Sequence, residues 1–156
     1  MHPNLARSAA LAATLVLTLA AHAADNSPPP PPAAPPNPLA AARAQVKAKN
    51  WPAAVDELRR VNAAGDADWN NLMGYALRKQ ATPDLDGAQR YYDAALRLNP
   101  LHRGALEYSG ELALMKGDLP TAEVRLAALG QACPRGCEEL DDLKKTVARF
   151  KSTGKL

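Results

Sequence analysis

Residues 68–100 read DWNNLMGYALRKQATPDLDGAQRYYDAALRLNP, and this stretch decides the fold. Apolar side chains recur every three or four residues on both sides of residues 81–84, which read ATPD. That spacing predicts two amphipathic helices joined by a turn, because a helix places such residues on one face. Asn99 and Pro100 close the second helix, since proline cannot continue one.

The pattern of this stretch returns at a fixed interval of 34 residues. Small, large apolar and helix-capping residues each keep their place in the interval: Ala54, Ala88 and Ala122; Leu58, Tyr92 and Leu126; Val61, Ala95 and Leu129; Trp51, Leu85 and Leu119; Asn50, Asp84 and Asp118. Self-similarity at one period is typical of a repeat array, in which each unit covers the apolar face of the next. The sequence therefore predicts an all-α fold.

The period and the residues that carry it resemble the tetratricopeptide repeat (TPR), a helix-turn-helix unit of about 34 residues. Trp69 and Leu72 match the start of the family pattern, and Gly74 stands one residue later than the family's glycine. The second half is closer to the pattern and contains Ala88, Tyr92, Ala95 and Pro100. The resemblance implies a right-handed α-solenoid of about three TPR-like units, at residues 39–66, 67–100 and 101–134.

Several positions are expected to shape the ends and crossings of these helices. Short polar side chains that can accept hydrogen bonds from free N–H groups precede five helices, at Asn37, Asn50, Asp66, Asp84 and Asp118. Gly65 and Gly117 are expected to end helices. Small residues are expected where the two helices of a unit cross, at Ala54, Ala88 and Ala122 on one helix and Gly74 and Gly110 on the other.

The first quarter of the chain predicts export. Residues 1–23 resemble a secretory signal peptide, with the basic Arg7, an apolar run at 9–20 and a small-x-small cleavage site at 21–23. The apolar run is shorter than the ~20 residues that span a bilayer. We therefore expect a periplasmic or secreted protein with no transmembrane segment after cleavage.

Residues 24–38 are rich in proline and predict a disordered, extended linker. A spacer is the first interpretation, and a ligand for a proline-binding groove is the second. At the other end, residues 135–152 predict a helix that caps the last unit, with Leu140, Leu143, Val147 and Phe150 along one seam. Residues 153–156 form a short tail.

Cys133 and Cys137 lie between the last unit and the capping helix. In an exported protein such a pair predicts a disulfide. A thiol–disulfide redox function is the alternative, although the usual redox motif has two intervening residues and this one has three. A metal site is not expected, because His102 is the only histidine after the signal peptide and is expected to cap a helix or lie at the surface.

The remaining motifs favour binding over catalysis. The net charge is +3 and charges of both signs alternate along the helices, so nucleic acid is not implied. The sequence has no phosphate-binding loop, nucleophile elbow or paired-carboxylate motif. We therefore expect neither an enzyme nor a cofactor.

In the TPR family the first helix of each unit lines a concave groove that holds peptides or helices of partners. Carried over by position, the resemblance implies these groove residues: Asn71, Tyr75, Arg78, Lys79, Glu107, Tyr108, Glu111 and Leu114. The Arg78–Lys79 pair is expected to favour carboxylates, and the tyrosines to supply rigid contact area. The function implied is a protein-interaction adaptor or scaffold in the cell envelope. Stacking between chains remains a third interpretation, since about three units are needed for a stable array.

Overall fold

A computed structural model of the chain describes residues 37–156. Seven α-helices build this part: α1 (Ala40–Lys47), α2 (Trp51–Val61), α3 (Ala67–Lys79), α4 (Leu85–Leu98), α5 (Arg103–Met115), α6 (Leu119–Ala132) and α7 (Glu138–Thr153). No strand occurs among the described residues, which confirms the all-α prediction. The predicted signal peptide and most of the proline-rich linker lie outside the described residues.

The helices pack in consecutive pairs. Helix α1 packs on α2, α3 on α4, and α5 on α6, while α7 packs against both α5 and α6. The odd-numbered helices also contact one another in the order α1, α3, α5, α7. The arrangement is repeat-like, and the odd-numbered helices form one continuous row along it.

Small residues allow the paired helices to approach closely, as the sequence predicts. Ala54, Ala88 and Ala122 are fully buried. A Cβ atom added to Gly74 would lie 3.1 Å from the Ala88 carbonyl oxygen and 2.7 Å from the Tyr92 ring. A larger residue at Gly74 would therefore push α3 away from α4.

The core is divided along the array. One cluster joins α1, α2 and α3 around Leu58 and Trp69, whose indole N–H donates a hydrogen bond of 2.7 Å to the Leu58 carbonyl oxygen. Another joins α5, α6 and α7 around Leu129 and Leu143. Between them, Tyr92 of α4 packs with residues of α5. Each cluster thus joins one pair of helices to the next helix of the array, as expected for a repeat-like fold.

The helix ends agree with the sequence at most positions. The carboxylates of Asp84 and Asp118 accept hydrogen bonds from the N–H groups of Gly87 and Thr121, at 2.8 and 3.0 Å. Asp66 caps α3 in the same way, and Gly117 ends α5 with a φ of +78°. These caps satisfy N–H groups that have no partner within the helix.

Two predicted helix ends are wrong. The side chain of Asn50 makes no capping bond to α2. Helix α2 ends at Val61 rather than at Gly65, because Asn62 adopts the left-handed conformation with a φ of 50°. Asparagine is one of the few residues other than glycine that tolerates this conformation, so it replaces the predicted glycine.

Candidate functional site

A cavity of about 330 Å³ opens between α3, α5 and α7. Its lining consists of two tyrosines, two basic residues and five acidic residues: Tyr75, Arg78, Lys79, Glu107, Tyr108, Glu111, Glu138, Glu139 and Asp142. We call it the acidic cavity. Six of the groove residues inferred from the sequence line it, and they reach it because residues three and four apart share one face of a helix.

Arg78 crosses the floor of the acidic cavity. Its side chain is 5% exposed, and its guanidinium donates a hydrogen bond of 2.7 Å to the Glu111 carboxylate. The guanidinium carbon also lies 5.7 Å from the centroid of the Tyr75 ring and 5.5 Å from that of Tyr108. Such contacts hold a cation on the faces of aromatic rings. Glu111 would therefore compete with a partner's carboxylate for this arginine, and the preference of Arg78 and Lys79 for carboxylates stays a prediction.

The two tyrosines form an aromatic wall beside Arg78. The ring centroids of Tyr75 and Tyr108 are 4.5 Å apart, and Trp51 contacts Tyr75 edge-on at 5.7 Å. Burial raises the pKa of both Tyr75 and Tyr108, so both phenols stay neutral at physiological pH. The wall is rigid and polar only at its hydroxyl groups, which suits it to contact a partner.

Glu107 is the unusual residue of the site. It is 8% exposed, and its carboxyl group has neither an ion pair nor a hydrogen bond among the described residues. Burial raises the pKa of Glu107 to about 8, and the nearby charges of Glu111, Asp142 and Glu139 act in the same direction against the opposing effect of Arg78. Glu107 therefore keeps its proton at neutral pH.

Helix α7 supplies a third wall that the sequence analysis missed. Glu138, Glu139 and Asp142 all lie in its first five residues and line the acidic cavity. From the sequence, residues 135–152 were expected only to cap the last unit, so these acids were not assigned to the groove. Glu138 and Glu139 lie four and three residues before Asp142, which places each of them on its side of the helix, and this spacing was the signal that could have identified them.

The disulfide determines where this third wall begins. Cys133 and Cys137 are bonded, with Cα atoms 5.8 Å apart, and this confirms the predicted pairing. Cys137 is the residue directly before α7, and Cys133 directly follows α6. The bond therefore constrains the start of α7 relative to the end of α6. Cys133, Cys137 and Glu139 are grouped closely enough for metal ligands, but bonded sulfurs offer no thiolate.

Asn71, the seventh predicted residue, lies beside a second cavity of about 440 Å³. Asp68, Arg43 and His102 line the same cavity. The Asp68 carboxylate accepts a hydrogen bond of 2.6 Å from Arg43 and lies 2.8 Å from Nε2 of His102. Burial alone would raise the pKa of Asp68, but its hydrogen bonds with His102 and Arg43 and the charge of Arg43 hold that pKa below the usual value. We call this the paired cavity.

Two further sequence predictions concern His102 and Leu114. His102 caps α5, because its Nδ1 accepts a hydrogen bond of 3.1 Å from the Ala105 N–H group. This confirms the capping role. Leu114 is wrong as a groove residue: it is 2% exposed and belongs to the core between α5, α6 and α7. Leu114 lies three residues after Glu111 on the same side of α5, but at that end of the helix the side is covered by the core.

In residues 37–156, no helix combines the length and the apolar character that a membrane span requires. The chain matches no known protein-family model and no curated protein. Its function is therefore inferred from its own sequence period and side-chain geometry.

Proposed function

We propose that the chain is an exported, non-catalytic interaction adaptor built from TPR-like units. It holds a peptide or helix of a cell-envelope protein against the face formed by α3, α5 and α7. The observation that carries this proposal is that six of the groove residues expected from the sequence line one cavity. These six residues are the ones that the resemblance to TPR units places on the groove face of the first helix of each unit.

The packing of the helices supports a solenoid with an inner face. In the described residues, Cα atoms of α3 come within 8 Å of those of α1 and α5, whereas no Cα atoms of α2 and α4, or of α4 and α6, come this close. Helices α4 and α6 meet through side chains, in the ion pair of Asp93 with Arg125. An array whose odd-numbered helices approach more closely than its even-numbered helices curves with the odd row inside. The acidic cavity and the paired cavity both open on this inner row. Concave solenoid surfaces are the usual binding faces of repeat proteins.

Helix α7 supports the same architecture as a terminal cap. Leu143 is fully buried and Val147 is 4% exposed, and both pack on the last pair of helices. Asp141, Lys144 and Lys145 face solvent on the other side. A cap of this kind covers the apolar face that the last unit would otherwise expose. Here the cap also contributes to the binding face, through Glu139 and Asp142.

The test is affinity capture from an envelope extract with matched variants. Tyr75→Ala combined with Lys79→Glu alters the inner face at residues that are half-buried and exposed, so the fold should persist. Arg90→Glu makes the same charge change at an exposed position on α4 and is the control. A partner retained by the wild type and the control but lost from the double variant supports the adaptor.

A third variant tests the redox alternative. Cys133→Ser combined with Cys137→Ser should weaken capture without abolishing it, because α7 loses its constraint but keeps its carboxylates. A partner that is lost only from this variant contradicts the adaptor and assigns the function to the thiols.

A further inference from the structure

The lining of the acidic cavity carries more negative than positive charge. Five of its residues bear carboxyl groups and two are basic. One of the two, Arg78, is already paired with Glu111. The other, Lys79, is exposed at the rim, with its ammonium nitrogen 5.8 Å from the centroid of the Tyr75 ring. Two of the α7 acids also have cationic partners outside the lining, since Glu139 lies 3.7 Å from Arg103 and Asp142 lies 3.1 Å from Lys145. Glu107 and Glu138 are the acids of the lining without an ion-pair partner among the described residues.

We propose that the acidic cavity is a subsite for a Lys or Arg side chain of the partner's bound segment, a proposal that rests on the adaptor function proposed above. The acidic surface alone would not carry this assignment, because exposed acids are common on helices. Two independent features, the Glu107 carboxyl group and the aromatic wall, point to a basic ligand.

The first feature is the carboxyl group of Glu107. The residue as a whole is 8% exposed, and its carboxyl group lines the cavity without a hydrogen-bond or ion-pair partner among the described residues. The carboxyl oxygens themselves are not fully buried but open into the cavity. Buried carboxyl groups without a partner are costly, so proteins normally pair them. A ligand ammonium or guanidinium group that enters the cavity supplies the missing donor.

The second feature is the aromatic wall. Tyr75 and Tyr108 already hold one guanidinium group, that of Arg78, over their rings. Tyrosine faces attract cations and also pack against the methylene stem of Lys or Arg. The wall therefore suits the whole length of a basic side chain, with the charged end directed to the carboxylates.

Two other ligand classes fit less well. A partner carboxylate can reach Lys79 at the rim, but at Arg78 it would compete with Glu111, and it would face the acids of α7. A single metal ion needs several oxygen ligands close together. Among the described residues, no three carboxylates bring one oxygen each within 4.8 Å of one another. An elongated organic cation bridges such separated carboxylates, whereas a small ion does not.

Binding of the basic group should release the proton of Glu107. Glu107 is protonated in the empty cavity at neutral pH, because burial and the surrounding acids raise its pKa. A bound ammonium group stabilises the carboxylate, so the proton leaves to solvent as the ion pair forms. Affinity should therefore rise with pH until Glu107 is ionised in the free protein.

The experiment is an NMR titration of the ¹⁵N-labelled protein with three acetylated, amidated heptapeptides. They share Gly-Ser flanks and differ only at two central positions, which are Lys, Gln or Glu. The Lys peptide should shift amide signals of α3, α5 and α7, and it should bind at least about tenfold more tightly than the other two. Its affinity should rise at least about fivefold between about pH 6 and about pH 9, and Glu107→Gln should remove that rise.

Matched variants on α7 separate a specific site from general charge attraction. Asp142→Lys changes a residue that lines the cavity, and Asp141→Lys makes the same change at the neighbouring exposed position outside it. The first should weaken binding of the Lys peptide about tenfold, and the second should leave it within about twofold. Equal effects of the two variants, or equal binding of the Lys and Gln peptides, overturn the proposal, as does a titration without Lys-dependent shifts.

The failure of this proposal differs from the failure of the adaptor function. A captured partner that the Glu peptide displaces and the Lys peptide does not leaves the adaptor standing and overturns the cation subsite. Specific binding of the Lys peptide without any captured partner supports the subsite and counts against the adaptor.

Discussion

The acidic cavity and the paired cavity lie on the same row of helices and differ in how their charges are satisfied. In the paired cavity, Asp68 accepts hydrogen bonds from both Arg43 and His102. In the acidic cavity, Arg78 has Glu111 while Glu107 has no partner. The paired cavity thus contains a complete ion-pair network, whereas the network of the acidic cavity is incomplete. The incomplete network identifies the face that is available to a ligand.

The largest expected effect comes from removing the buried cation. Arg78→Met leaves Glu111 without its partner beside Glu107, and breaking a buried pair in this way costs about 3 kcal/mol or more of unfolding free energy. Arg43→Met is the control, because its pair with Asp68 is 45% and 54% exposed. It should cost less than about 1 kcal/mol. Urea unfolding of the two variants measures both values, and equal losses would remove the distinction between the cavities.

The next effect concerns pH. Between the ordinary carboxyl pKa of 4.5 and about 8, the unfolded chain releases the Glu107 proton and the folded chain retains it. The folded state then binds more protons, so stability falls as pH rises through this window. Glu107→Gln should remove this loss and gain about 1–3 kcal/mol at about pH 8 relative to the wild type. Unfolding curves across pH measure it, and a parallel pH dependence in both proteins would contradict the assignment.

The disulfide should have an effect of similar or smaller size. Its sequence separation of 4 makes a short loop, so reduction should cost about 2 kcal/mol. Hydrogen exchange should increase first in α7, because the bond constrains the start of that helix. An increase confined to α1 and α2 would show that α7 is held by other contacts.

The smallest expected effect lies in the paired cavity and has the opposite pH dependence. The pKa of Asp68 is lowered in the fold, so its contribution is present above the unfolded value and is lost as pH falls through the folded value. Asp68→Asn should cost less than about 1 kcal/mol near neutral pH, since the carboxylate is largely exposed. Unfolding curves for Asp68→Asn and Glu107→Gln should therefore differ from the wild type at opposite ends of the pH range.

Much of this arrangement could be predicted from the sequence because it depends on spacing. The pattern of small residues placed Ala88 against Gly74, and the resemblance to TPR units implied that Tyr75 and Tyr108 share one face. The caps at Asp84 and Asp118 are also local. Each of these features needs only the position of a residue within its own unit.

The remaining features depend on contacts that spacing does not encode. Arg78 is on α3 and Glu111 is on α5, so spacing within one helix does not show that the arginine is already paired. The acids of α7 enter the cavity only because α7 packs on α5, outside the period of the array. The unpartnered state of Glu107 follows from both facts, and it is the reason that we propose a basic ligand where the sequence predicts a preference for carboxylates.

The most direct test is the titration of the Glu107 carboxyl group by ¹³C NMR, with and without the Lys peptide. Free protein should show a pKa of about 8 for this group. Saturation with the Lys peptide should lower that pKa, and the Gln peptide should leave it unchanged. A free value near 4.5, or a value that the Lys peptide does not move, would contradict the assignment of this cavity to a basic side chain.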